Sequence, residues 1–340
     1  MSQYQIPEQM TAVVLESYSG VESLRVEQRA VPSLRKNEVL VKVAASPINP
    51  SDLAFLQGEY GIQKPLPVVP GIEGSGTVVA VGSGIMGRYL KGKQVACVSQ
   101  IQGDGVWADY LVTTANYALP LDKSVSLEQG AMSVVNPLTA IALLSIAKKG
   151  GHKTMINTAA ASALGQMINR LSRVEGIQVI NIVRRDAQVA FLKQQGAAIV
   201  LNSNDSSFSQ QLYDLCHQHE ARLAFDAVAG SMTLQLLEAM PENSKVTIYG
   251  GLSWEAAQVA PNHVIFQNKR VDGFWLPLWL AEKSLMQNLM TWRRAQKLLS
   301  TDLKSDIRVR YPLKDARNAV LDYQNNMTGG KVLLIPGRKD

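Results

Sequence analysis

Residues 158–166 read TAAASALGQ, between an apolar run at 153–157 (KTMIN) and a helix-like stretch beginning MINRLSRVEG. A dinucleotide-binding turn must bring backbone amides against a pyrophosphate and aim a helix N-terminus at its charge, so it places glycine where a Cβ would block the approach. Counting back from Gly165, the three positions of the G-x-G-x-x-G spacing are held by Ala160, Ser162 and Gly165, with Ala163 opening the helix. One glycine remains, yet alanine and serine are small, and a serine hydroxyl can itself hydrogen-bond to phosphate. The alternative is an ordinary strand-to-helix turn that binds nothing; the strand-turn-helix context favours a ligand.

The end of the next strand supplies a second test. NAD is held there by an acidic residue on the ribose 2′-hydroxyl. This chain has INIVRRD, in which Arg184 and Arg185 precede Asp186. Two guanidiniums suit a 2′-phosphate through paired charge-assisted hydrogen bonds, so the expected cofactor is NADPH rather than NADH. Asp186 is expected to cap the following helix. A solvated charge pair is the competing reading of Arg184 and Arg185.

These residues need elements to hold them. From about residue 150 the chain alternates strands (153–157, 177–184, 197–202, 221–229, 245–250, 271–276) with helices (163–175, 186–196, 206–219, 231–239). Such alternation predicts an α/β domain, a Rossmann-type doubly wound parallel sheet covered on both faces. Up to about residue 128, short β-rich runs such as TAVVLES, EVLVKVAAS and GTVVAVGS are separated by Gly and Pro, which predicts a small irregular barrel. Residues 131–147 form an apolar run interrupted by Asn136 and Pro137, slightly short for a membrane span and better read as a buried helix. After residue 284 the pattern turns helical and then ends in two β-like pieces expected to return to the N-terminal domain. The expected division is therefore 1–128 completed by 284–340, with 129–283 as the nucleotide-binding domain.

Composition narrows the function. The 340 residues are 46% hydrophobic and 18% charged, with a formal net charge of +6. The basic residues are dispersed, with no basic run that would mark a nucleic-acid surface. Two cysteines, Cys97 and Cys216, are too few for a disulfide framework or a thiolate zinc cluster. Residues 216–219 (CHQH) read as a polar helix face. The opening residues, MSQYQIPEQM, lack a basic start and an apolar block, so the cytoplasm is the expected compartment. No nucleic-acid or membrane partner is expected.

The motifs VLVKVAASPINPSDL, PVVPGIEGSGTVVAVGSG, the nucleotide-binding domain and the closing GGKVLLIP occur in the order found in the medium-chain dehydrogenase/reductase superfamily, which the chain resembles over nearly its whole length. The resemblance implies a GroES-like β-rich catalytic domain beside the Rossmann domain. Zinc-dependent members carry a G-H-E motif; here Ile72 occupies the histidine position and SPINPSD stands where a ligating cysteine would be, so no metal is expected. VVNPLTA, NTAAASALGQ, INIVRRD, YGGLS and NKRVDGFWLPLW resemble 2-enoyl thioester reductases of the mitochondrial type more than zeta-crystallin-like quinone oxidoreductases. By that resemblance Tyr60 is the active-site phenol, with Asn49 holding substrate or orienting it. Thr139, Tyr249, Gly250 and Gly251 line the cofactor, Phe274, Trp275 and Leu276 wall the cleft, and Lys331 lies near cofactor or substrate. Tyr60 and Trp275 could instead be core aromatics, Asn49 a turn former and Lys331 a solvated cation.

The activity implied is NADPH-dependent, zinc-independent hydride transfer to an activated C=C bond of a small electrophile, a 2-enoyl thioester or an enone. Quinone reduction is the chemical alternative, and a non-catalytic NADPH-binding sensor the alternative of another class. The segment LPLWLAEKSLM lacks the basic character suited to a coenzyme A phosphate, and GHKTM departs from the usual approach to the first strand. The resemblance also implies a homodimer joined through edges of the cofactor domain.

Overall fold

The computed structural model describes residues 5–338. The chain divides into two compact units, one running to Val135 and resuming at Lys304, the other from Asn136 to Leu303.

The first unit opens with an antiparallel hairpin, β1 (Gln9–Leu15) and β2 (Leu24–Ala30). Its main sheet contains β3 (Glu38–Pro47), β4 (Glu73–Val81), β5 (Gln94–Val98), β6 (Tyr110–Thr114) and β7 (Ala118–Pro120). Two short helices interrupt them, α1 (Pro50–Leu56) and α2 (Ile85–Leu90), and a third, α3 (Leu127–Ala131), follows β7. Pro50 begins α1, where its missing N–H costs nothing. Val13, Leu15, Val39, Val41, Val78 and Trp107 pack the core between these strands. β3 and β4 approach each other closely at Gly76, where an added Cβ would lie 2.0 Å from the Lys42 carbonyl oxygen.

The second unit starts along α4 (Val135–Lys149) and then alternates strictly: β8 (Thr154–Asn157), α5 (Ala163–Val174), β9 (Gln178–Val183), α6 (Asp186–Gln194), β10 (Ile199–Asn202), α7 (Phe208–Gln218), β11 (Leu223–Asp226), α8 (Ser231–Ala239) and β12 (Lys245–Ile248). After α9 (Pro261–Ile265) comes the edge strand β13 (Arg270–Gly273), then α10 (Leu276–Ala281) and α11 (Leu285–Leu298). The six strands are parallel in the order β10-β9-β8-β11-β12-β13, the doubly wound arrangement expected. Phe208, Leu212 and Cys216 recur at helical spacing and pack with Leu236 and Leu237 against Ile156, Ile180 and Val246. The other face carries amides: Asn157 donates to the Gly165 carbonyl at 3.2 Å, and Asn181 donates to Asn169 of α5 at 3.3 Å.

The first unit is completed by β14 (Ile307–Pro312), α12 (Ala316–Asn325) and β15 (Lys331–Ile335); β15 lies between β14 and β3. The return therefore comes at 304 rather than at 284. Helix α11 stays with the second unit because Glu175 pairs with both Arg294 and Lys148, and Arg170 Nε donates to the Asp302 carbonyl at 2.8 Å. At the other boundary the first unit extends to Val135 rather than 128, since the Val134 and Val135 amides donate to Glu73 at 3.1 and 2.9 Å. Among the described residues no helix is long and apolar enough to cross a membrane.

Gly76→Ala is expected to destabilise the chain by about 2–4 kcal/mol, because the new methyl meets backbone rather than a side chain that can swing away. Urea unfolding measures it; an unchanged midpoint would mean that β4 shifts at no cost.

Candidate functional site

In an open α/β sheet, ligands bind beyond the strand C-termini where the strand order reverses. Here that point lies between β8 and β11. Thr158 follows β8 and Asp226 ends β11, and the two are bonded: Thr158 Oγ1 donates to Asp226 Oδ1 at 2.9 Å and accepts from the Ala227 amide at 2.8 Å. Asp226 is fully buried. Its Oδ1 also accepts from the amides of Val228 (2.8 Å) and Ala229 (3.3 Å), and its Oδ2 from Thr233 Oγ1 (2.8 Å). Two alanines beside this knot are left-handed, Ala159 with φ 47° and Ala229 with φ 61°. That conformation costs an L-residue about 1–2 kcal/mol.

The cofactor turn uses its residues differently from one another. Ala160 was expected to face the cofactor; instead it is fully buried among Val183 and Leu192, and its amide donates to the Ile182 carbonyl. Gly165 is needed for close packing, since a Cβ there would lie 2.6 Å from the Ala160 carbonyl oxygen, and its own amide donates to Ser162 Oγ. Ser162 is thus the N-cap of α5, and this bond leaves its hydroxyl proton free to donate elsewhere. Ala163 and Leu164, the first residues of α5, have no intrahelical carbonyl for their amides. Ser162, Ala163 and Leu164 are the groups of this turn suited to an anion.

Arg184 and Arg185 are both exposed after β9. The loop is braced by Gln188, which accepts from the Arg184 amide at 3.3 Å, and by Asn204, which donates to its carbonyl at 2.9 Å. Asp186 does not cap α6. It is the helix's first residue, its carboxylate accepts from Asn202 at 2.7 Å, and Arg185 holds the cap position. Tyr249 follows β12, and its amide donates to the Asp226 carbonyl at 2.8 Å. Its hydroxyl is buried with no hydrogen-bond partner, and burial, reinforced by the charge of Asp226, pushes that phenol well above its ordinary value. Gly250 packs on Ala227, whereas a Cβ on Gly251 would meet open space. Phe274, Trp275 and Leu276 follow β13 and are half-buried; Thr139 is buried on α4. Small turn residues, unused helix-start amides and an exposed arginine pair together fit a phosphate-bearing dinucleotide.

The first unit holds a buried charge cluster. Asn49 is fully buried: its amide nitrogen donates to Glu73 Oε1 at 3.0 Å, its carbonyl oxygen accepts from Lys331 Nζ, and its backbone N–H donates to Asp52 Oδ2 at 2.8 Å. The backbone N–H of Ile72 donates to Asp52 Oδ1 at 3.0 Å. Asn49 and Lys331 are therefore internal ties in this structure. Burial pushes Asp52 up to about 7, against the opposing bond from Asn49 and with the like charge of Glu73 adding to it. Burial raises Glu73 and lowers Lys331, and each partner's charge offsets part of the other's shift. Tyr60 is half-buried against the core of the same unit.

Residues 35–123 match the family model of the alcohol dehydrogenase GroES-like domain, and residues 163–292 that of the zinc-binding dehydrogenases. A mitochondrial enoyl-[acyl-carrier-protein] reductase of Arabidopsis thaliana is 31% identical over 79% of this chain and 73% of its own length. A solved structure from Mesorhizobium loti, provisionally described as an NADPH:quinone reductase, is 36% identical, covers 98% of this chain and 100% of its own, and superposes with a TM-score of 0.91. This chain belongs to the medium-chain dehydrogenase/reductase superfamily. Within the superfamily it is a reductase related to enoyl thioester reductases and quinone oxidoreductases. The Dictyostelium discoideum enoyl-[acyl-carrier-protein] reductase extends the similarity to 92% of this chain and 90% of its own length, at 28% identity.

Among the described residues of this superfamily member, no three His, Cys, Asp or Glu side chains gather as a metal site. Three functional candidates escaped the sequence reading. Glu73 was visible as the acid of GIE and Asp52 as the acid of NPSD, but nothing local announces that they share a buried chamber. Asp226 could be guessed only from an acid ending an apolar strand.

The Asp52 shift has a pH consequence. The folded chain keeps a proton that the unfolded chain releases near pH 4, so this contribution is complete below about pH 4 and is lost as pH rises through about 7. It amounts to about 4 kcal/mol at most. Urea unfolding at pH 5 and pH 8 should show lower stability at pH 8, with a smaller fall in Asp52→Asn; an equal fall in both proteins would remove Asp52 as the source.

Proposed function

We propose that this chain is an NADPH-dependent reductase of activated C=C bonds, acting on a 2-enoyl thioester or enone. The observation carrying the cofactor choice is the pair Arg184 and Arg185, exposed at the end of β9 with Asp186 engaged by Asn202. Two exposed guanidiniums suit a 2′-phosphate, and an acid bonded elsewhere does not compete for the ribose. The substrate class is supported by the kinship with enoyl-[acyl-carrier-protein] reductases and by the run Gly273, Phe274, Trp275 and Leu276.

Ser162, Ala163 and Leu164 would hold the pyrophosphate, Arg184 and Arg185 the 2′-phosphate, and Gly251 would let the backbone approach the bound group. When bound, NADPH supplies a hydride to the electron-poor carbon. Reduction of an enoyl carbonyl compound builds negative charge on the carbonyl oxygen, which needs a hydrogen-bond donor or a proton. Tyr60 is the group assigned to that oxygen. Asn49 and Lys331, held inside the first unit, would act behind Tyr60's loop rather than on the substrate.

Quinone reduction is the second reading, favoured by the 36% identity to the Mesorhizobium loti structure. We also propose a homodimer: β13 is an edge strand, and Ile265, Phe266, Leu285 and Met286 expose apolar surface in the same unit.

NADPH consumption against a short trans-2-enoyl thioester and a simple quinone, with NADH as control, tests the assignment. Turnover of the thioester with NADPH preference is expected; quinone-only turnover would replace the substrate class. Arg184→Ala with Arg185→Ala should weaken NADPH binding by about tenfold or more while leaving NADH nearly unchanged, and equal losses for both cofactors would undo the phosphate assignment. Tyr60→Phe should lower turnover by roughly 10²; an unchanged rate on every accepted substrate would remove the phenol from catalysis.

A further inference from the structure

The cofactor turn lacks two of the three usual glycines, yet Ala159 takes a glycine-like φ of 47°. Across the rim, Ala229 does the same with φ 61° and is followed by Gly230 with φ 58°. A left-handed alanine persists only where its surroundings enforce it. Thr158, the residue before Ala159, donates its hydroxyl to Asp226 at 2.9 Å and accepts from the Ala227 amide at 2.8 Å, which joins the end of β8 to the end of β11. The same carboxylate oxygen takes the amides of Val228 and Ala229. The Tyr249 amide and the Leu252 amide bond to the carbonyls of Asp226 and Ala227, so the loop after β12 hangs on the same residues.

We propose that Asp226 is the positioning residue of the cofactor cradle: acting through the Thr158 hydroxyl and the Val228 and Ala229 amides, it holds both alanine turns in the left-handed conformation the ligand requires. The proposal rests on the cofactor reading above. Asp226 does not itself meet the ligand, since its carboxylate is fully buried and occupied by two hydroxyls and two amides. Asparagine with its NH2 toward the Thr233 hydroxyl, which can accept, would keep one oxygen for Thr158 and the two turn amides but lose the charge that strengthens those bonds. Where glycine makes the turn by its own freedom, this chain makes it by an acceptor that forbids the alternatives.

The test separates turn conformation from general stability. Calorimetric dissociation constants for NADPH are measured for the unaltered chain, Asp226→Asn and Thr158→Val, and for Thr158→Val in an Ala159→Gly background, with melting temperatures alongside. Thr158→Val exchanges the hydroxyl for a methyl of similar size and leaves the Asp226 carboxylate in place, so it decides the matter where Asp226→Asn fails to fold. The expected result is a loss of affinity of about tenfold for Thr158→Val that shrinks to less than about threefold in the Ala159→Gly background, where no left-handed penalty has to be held down. An equal loss in both backgrounds, or unchanged affinity in Thr158→Val, overturns the positioning role while leaving the cofactor reading intact. Failure of the unaltered chain to bind NADPH overturns both.

Discussion

A parallel sheet gathers its strand ends on one rim, and every turn leaving that rim exposes polar backbone that must find a partner. In the second unit much of that obligation falls on one carboxylate. Asp226 stands where the strand order reverses, and the turns after β8 and β11 are bonded to it directly. The loop after β12 is bonded to its carbonyl. The turn after β8 is thus tied through the Thr158 hydroxyl as well as shaped by the small residues Ala160, Ser162 and Gly165. The two left-handed alanines record the backbone cost, and the four donors on the carboxylate record what offsets it.

The first unit meets a different constraint. It buries Asp52 and Glu73 together, and burying a charge is costly unless it is paired and hydrogen-bonded. Lys331 supplies a cation, Asn49 links that cation to Glu73, and the backbone N–H groups of Ile72, Val134 and Val135 take remaining acceptors. One ammonium against two carboxylates leaves one acid to keep its proton near neutrality, in agreement with the raised Asp52. Ile72, through its backbone N–H, and Asn49 belong to this hydrogen-bonded cage.

Much of the architecture was readable in advance. The strands β8 to β13 announce themselves by apolar runs divided by helices with spaced hydrophobic positions such as Phe208, Leu212 and Cys216. β2 did not, because LRVEQRA is largely exposed and charged and gains its place only by pairing with β1. The placement of candidate site residues was legible where a local motif carries its own geometry, as with Ser162 at the start of α5 or Arg184 and Arg185 exposed after β9. It was illegible where a side chain's partner lies far along the chain: Asn49 and Lys331 are 282 residues apart, and Thr158 and Asp226 are 68 apart. Ala160 illustrates the intermediate case, a position correctly placed in the turn whose side chain goes into the core.

The position of β15 has a consequence for biogenesis. This strand follows the whole second unit in the chain, lies between β14 and β3, and carries Lys331, the cation bonded to Asn49 in the buried cage with Asp52 and Glu73. The nascent N-terminal half therefore waits through synthesis of the entire nucleotide-binding unit with β3 unpaired along its C-terminal end and two interior acids uncompensated. Until β15 is made, such a chain offers chaperones a short open strand edge, and quality control would read a product truncated before β15 by the same signal.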